Sequence, residues 1–215
     1  MEDLRELVRK LGKPYSEVLG IRIKNKEERE FFKWFLASLL FSKPLREETA
    51  MKTYRAFEEE ELLDPDSLLR AGWAKVVEVL DRGGYVRYDF STATKILEAA
   101  KNLKEKYGSL SSLHESSKDS EDLEIKIKEL AKGIGNTTVS IFLRDMRMAW
   151  DDVRDKPTPL LRSGMELYGI TDCDLTAKRL GVEPVELETA LTRLAKEIKR
   201  KSKRKRKTSR TMSPS

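Results

Sequence analysis

A chain of 215 residues with one cysteine (Cys173), one histidine (His114), 37% charged residues and a formal net charge of +6 excludes four-cysteine iron–sulfur ligation and a Cys/His zinc site. Its longest apolar run, Phe31 to Phe41, is broken by Lys33 and Ser38. It falls short of the roughly 20 residues a membrane span needs, and Met1-Glu2-Asp3-Leu4-Arg5 has no signal-peptide pattern, so no membrane partner and an intracellular location are expected.

Helical periodicity dominates from end to end, and the only short alternating run is Ile21-Arg22-Ile23. Glu2 to Leu11 reads as a short amphipathic helix stopped by Gly12. Asn25 is placed as the cap of a helix from about Lys26 to Phe41, with Glu28 at the capping-box position. Apolar residues nearly encircle that helix, which marks it as central and buried. Pro44 opens a helix to about Phe57, a short helix follows Asp64-Pro65, and another spans Trp73 to Asp81. After the Gly83-Gly84 break, Asp89 or Ser91 caps a helix to Tyr107, stopped by Gly108. Ser109–Ser120 reads as a polar loop, which makes His114 a solvated loop residue, although any Ser-His-Asp triad would have to use it. Leu123 to Ala131 is helical. After Gly133-Ile134-Gly135, Asn136 caps a helix through Trp150. Two or three further helices follow Pro157 and Pro159, and residues 199–215 read as a disordered basic tail.

Charge is uneven. Lys196 to Arg210 holds ten Lys/Arg and one Glu, a net +9 against +6 for the whole chain, so the remainder carries −3. The sequence contains no glutamine and only three asparagines (Asn25, Asn102, Asn136), the depletion of thermolabile amides reported for hyperthermophile proteins.

The strongest chemical signal is Leu130-Ala131-Lys132-Gly133-Ile134-Gly135-Asn136-Thr137-Thr138-Val139. A helix ends, a Gly-x-Gly turn reverses it, and a second helix starts at once. Glycines permit positive φ and close backbone approach. The second helix's unpaired N–H groups and positive dipole end suit one phosphate. Ile134 would plug the turn. The alternative is a tight helix–helix turn with no ligand.

Here the chain resembles the helix-hairpin-helix DNA glycosylase superfamily, which includes endonuclease III and the adenine-mismatch and alkylpurine glycosylases. The family's Leu-Pro-Gly-Val-Gly-Arg-Lys-Thr-Ala pattern runs from Ala131 to Val139. Phe35 to Ser42 resembles its first buried helix, and Gly84-Tyr85 to Ala93-Thr94-Lys95 resembles the segment before its long middle helix. The resemblance implies an all-α, two-lobed fold with a central cleft over residues 1–198, and double-stranded DNA held by Gly133, Ile134, Gly135, Asn136, Thr137 and Thr138. It also implies a carboxylate 18 positions beyond Thr137, at Asp155, to stabilise the sugar cation as the base departs; Asp151 and Asp152 stay open as alternatives. Lys43 stands nearest to the family's glutamine that enters the gap left by a flipped base, and Lys43, Tyr85 and Tyr88 are the candidates for a base pocket or wedge. Trp73 and Trp150 are further aromatic candidates.

Two departures from the pattern carry consequences. Thr137 stands where bifunctional members carry an imine-forming lysine, so strand cleavage through this position is not expected. The iron–sulfur loop is missing. The implied activity is that of a monofunctional DNA N-glycosylase in base-excision repair, with a non-catalytic lesion-sensing protein and a protein-binding scaffold as the rivals. No cofactor is called for; a monovalent cation at the hairpin stays open. Lys203, Arg204 and Lys205 in the tail are expected to neutralise phosphates, the protein to be a monomer, and its location to be the cytoplasm, with the nucleoid. Cys173 to Leu191 has a helix-turn-helix-like spacing that equally fits two helices packing to close the domain.

Overall fold

The computed structural model describes residues 3–153 and 157–211, residues 203–211 as backbone only. Among the described residues every regular element is helical: α1 Leu4–Leu11, α2 Tyr15–Val18, a 3-10 turn Ile23–Asn25, α3 Glu28–Phe41, α4 Glu47–Glu59, α5 Pro65–Gly83, α6 Asp89–Lys106, α7 Leu110–Glu115, α8 Ser120–Lys128, α9 Asn136–Met146, α10 Pro159–Tyr168, α11 Cys173–Leu180 and α12 Pro184–Thr211. The all-α class expected from periodicity is therefore observed. No helix among the described residues is long and apolar enough to cross a membrane.

The chain divides into two compact units, residues 16–155 and a unit made from both ends, 1–15 with 156–215. In the middle unit α3 is the central helix. Trp34, Phe35, Leu36, Ala37, Leu39 and Leu40 are all at most 2% exposed, as the all-round apolar pattern requires. It packs on α4, α6, α7 and α9. The stretch α5 breaks at Gly72, whose backbone is not helical (φ 75°, ψ 176°), so it is two helices joined at a kink, as expected from the short helix after Asp64-Pro65 and the one starting at Trp73. Its start is a reciprocal cap between Asp64 and Ser67.

Three local expectations are corrected. Asn25 lies in the 3-10 turn and Lys26 is left-handed (φ 57°), so α3 begins at Glu28 without a side-chain cap. Glu28 is drawn away instead: its carboxylate accepts from the Leu110 N–H (2.6 Å), the Ser111 N–H (3.0 Å) and the Ser111 hydroxyl (2.7 Å). That contact, with the Ser109 side chain accepting from Ser112 N–H, ends the loop reading of Ser109–Ser120. The first part is α7, whose Leu110 and Leu113 are buried. Asn136 is the first residue of α9 rather than its cap, which is Gly135.

In the terminal unit α1, α10, α11 and α12 share one core of Leu7, Val8, Leu161, Met165, Cys173, Ala177, Leu187, Ala190 and Leu191. The helix-turn-helix-like spacing is thus spent on packing. Gly164 marks the closest approach. A Cβ there would stand 2.5 Å from the Leu191 carbonyl oxygen. Arg193 ties α12 to the N-terminal segment, donating to the carbonyls of Leu11 and Lys13 (2.7 Å each) and lying 4.2 Å from the Tyr15 ring centroid. The helix α12 extends to Thr211, into the basic segment assigned to a disordered tail. Lys and Arg are good helix formers, so this backbone can continue a helix without a core face.

Candidate nucleic-acid interface

The turn between α8 and α9 is held by α6. The Asn102 amide donates to the Leu130 carbonyl (2.8 Å), and the Glu98 carboxylate accepts from the Lys132 N–H (3.3 Å). Ile134 is the plug of the turn at 6% exposure. The two glycines differ in kind. Gly133 has φ 87°, which L side chains rarely adopt, and a Cβ there would stand 3.3 Å from Lys95 Cε. Gly135 is extended (φ −115°, ψ −178°), and nothing lies within 4 Å of a Cβ built on it. The folded chain itself gives no steric reason for glycine at 135.

With Gly135 as N-cap, no side chain accepts from the first turn of α9. The first intrahelical bond runs from Val139 N–H to the Gly135 carbonyl, which leaves the N–H groups of Asn136, Thr137 and Thr138 without intrahelical partners. Gly135, Asn136 and Thr137 are exposed, and Thr138 is buried. Positive dipole, open N–H groups and exposed backbone together make a place for an anion. The helix behind them is fixed. Trp34 Nε1 donates to the Phe142 carbonyl (3.0 Å). Asp145, fully buried, accepts from the Ser16 N–H (3.2 Å) and hydroxyl (2.7 Å) and pairs with Arg144 Nε at 3.1 Å.

Beside the turn sits a residue that was not picked out as functional. Lys95 of α6 is 6% exposed and packs against Gly133. Burial lowers its pKa to about 8, and the charge and hydrogen-bonding reach of Lys43 add to the effect. The sequence signal was a lysine within the buried stripe Thr92, Ala93, Lys95, Ile96, Ala99, where a charge has no ordinary place. Lys43, half-buried in the segment after α3, stands 5.4 Å from the Tyr88 ring centroid, and Arg87 lies 5.7 Å from the same centroid. Lys43 and Tyr88 are therefore brought together next to the turn. Tyr85 is not at a surface: it is fully buried, its hydroxyl donates to the Leu40 carbonyl (2.5 Å), and burial pushes its pKa up. A core role follows, because a phenol that has spent its donor inside the protein cannot also line an open pocket.

Exposed aromatics lie on α5 and α6. Trp73 (45% exposed) and Phe90 (60%) contact each other with ring centroids 5.3 Å apart, and Trp73 Nε1 donates to Thr94 Oγ1 (3.1 Å). Trp150 is buried, edge-on to Phe31 and Phe142, and stacks face to face on His114 (4.3 Å between centroids, 4° between planes). His114 Nε2 meets both carboxylate oxygens of Asp152, at 2.9 and 3.1 Å. Asp152, one of the alternative carboxylates, is thus already engaged; Asp151 is exposed. Asp155 lies outside the described residues, as do the side chains of Lys203, Arg204 and Lys205. Among the described residues no group of three or more His, Cys, Asp or Glu could hold a metal ion.

Compared with known proteins, the chain matches no family model, no curated protein and no solved structure.

Proposed function

We propose that this protein binds double-stranded DNA and acts in base-excision repair as a DNA N-glycosylase, with the fold of the helix-hairpin-helix glycosylases. The observation that carries the reading is the open N-terminus of α9. Three N–H groups are uncapped beside a glycine, Gly135, that no internal contact requires. A glycine there leaves room for a ligand's backbone, and a helix end of this kind binds a phosphate. Asp155 supplies the carboxylate opposite the sugar cation, and Lys43 with Tyr88 faces the gap left by an extruded base. Strand cleavage through residue 137 is absent from this scheme, because a threonine hydroxyl forms no imine.

The test is a panel of duplexes, each with one abnormal base, incubated with the protein and with Asp155→Asn. Release of a base by the protein and none by the variant, with duplex affinity held, is the expected result. Equal release by both would end the assignment of Asp155.

The second reading, a lesion-binding protein without chemistry, is favoured by one observation: Asp152 is bound to His114 rather than presented alone. It predicts that no duplex in the panel is cleaved at the glycosidic bond although damaged duplexes are preferred in binding.

A further inference from the structure

Winding the basic segment into α12 sorts its charges. At about 100° per residue, Lys196, Lys199, Arg200, Lys203, Lys207 and Arg210 recur at spacings of three and four and fall on one stripe of the helix. An extended chain would scatter the same charges on all sides. The core line of α12 runs along another side: Leu187, Leu191 and Ala195 are buried, and Ile198 and Ser202 continue their spacing. Ile198 is 41% exposed and residues 196–202 are all exposed, so the core ends where the stripe begins. One acid, Glu197, stands among the ten Lys and Arg between Lys196 and Arg210. Like charges three and four apart on a helix repel and work against it, and a polyanion lying along the stripe turns that repulsion into attraction.

We propose that residues 196–211 of α12 form a basic arm that lies as a helix in the major groove of B-form duplex DNA, with the stripe against the phosphates. The arm rests on the duplex part of the reading above and needs neither Asp155 nor the α9 turn. The stripe is about 21 Å long at a rise of about 1.5 Å per residue, and a helix about 10–12 Å across fits a groove about 12 Å wide. A-form RNA has a deep, narrow major groove that does not admit one. An anionic membrane would call for an apolar face opposite the charge, and beyond Ile198 that side of α12 holds Ser202, Lys205 and Ser209.

The experiment exchanges neighbouring residues in the full chain. Ser202→Lys with Lys203→Ser, and Ser209→Arg with Arg210→Ser, keep length, composition and net charge and move two charges off the stripe. Affinity for a B-form duplex is measured by anisotropy over a series of salt concentrations. The exchanged chain should bind about tenfold or more weakly, with a salt slope smaller by about two phosphates. Ser202→Pro keeps every charge and breaks the helix, so it should weaken binding in the same way, whereas Ser202→Ala should match the native chain. These positions lie beyond Ala195, the last buried residue of α12 among those described, so thermal unfolding should be alike in all of them. Native affinity in both the exchanged chain and Ser202→Pro overturns the proposal, since a segment that only neutralises phosphates is indifferent to the order of its residues. Equal affinity for an RNA duplex of the same sequence overturns it, as does tighter binding to phosphatidylserine vesicles than to DNA. Native affinity in the exchanged chain with a loss in Gly135→Ala removes the arm and leaves the duplex reading standing, whereas failure to bind any duplex removes both.

Discussion

At the scale of single residues the informative side chains are buried ones with charge. Asp145 has no exposure and accepts from the Ser16 N–H and hydroxyl on one side and from Arg144 Nε on the other. Asp145→Ala would strand a buried cation and two donors, so a loss of about 3–5 kcal/mol is expected in a denaturant titration. Lys95 behaves differently with pH. Its pKa falls from the ordinary 10.5 to about 8 in the folded chain, with burial the larger cause. Between those values the unfolded chain holds the proton more firmly, so the lysine's penalty is fully present below pH 8 and fades as pH rises to 10.5. Lys95→Met should therefore raise the melting temperature most below pH 8, and the gain should shrink across that window; a gain that does not change with pH would mean the lysine is not strained by burial. How much of this could be read from the sequence follows from the same residues. The positive φ of Gly133 and the plug role of Ile134 were legible because a short local motif carries them. Lys95, Tyr85 and the His114–Trp150 stack were not, because their roles depend on which distant elements close over them. A Tyr in a glycine-flanked segment looks like a rim residue until the Leu40 carbonyl is found within its reach.

At the scale of elements, period and breakers identified nearly every helix, while caps were read less well. Asn25 and Asn136 are good capping residues by type, yet Glu28 serves a helix more than eighty positions away and Gly135 caps α9. Local spacing cannot weigh a partner that arrives through the fold. The α8–α9 turn gives two contrasting substitutions. Gly133→Ala puts a side chain at φ 87° and against Lys95, so a cost of about 1–2 kcal/mol is expected. Gly135→Ala meets open space at an ordinary φ, and a cap glycine differs from alanine by about 1 kcal/mol or less. Its melting temperature should stay close to that of the native chain while affinity for duplex DNA falls. Unchanged affinity would show that no backbone approaches this face, and the turn would then be only a turn. In the terminal unit Gly164→Ala drives a methyl group into the backbone of α12 at Leu191. Overpacking costs about 1–3 kcal/mol, and here the neighbour is backbone, so the upper end is expected in thermal unfolding.

At the scale of the whole molecule, the basic end of α12 and the α9 N-terminus should contribute to DNA binding in separable ways. Among the described residues the core of α12 runs from Val185 to Ala195 and 199–202 are exposed, so deletion of 199–215 removes charge and spares that core. If the segment binds DNA as proposed, it does so by phosphate neutralisation, and the logarithm of affinity should fall with the logarithm of salt by about 0.9 per phosphate contacted. Deletion should flatten that slope for all duplexes alike, whereas Gly135→Ala should leave most of it; an unaltered slope after deletion would deny the segment any role as an anchor. The terminal unit also has a history imposed by its composition from both ends of the chain. During synthesis α1 emerges with Leu7 and Val8 exposed, and the helices that bury them, α10 to α12, lie roughly 150 residues later, about 10–30 s at ordinary elongation rates. The middle unit can fold in that interval, and α1 must wait. Cys173, the single cysteine, lies in the core that forms last. Its alkylation should therefore be rapid in ribosome-bound chains that stop before Val185 and slow once Leu187, Ala190 and Leu191 of α12 are in place, a chemical clock for the closing of this core.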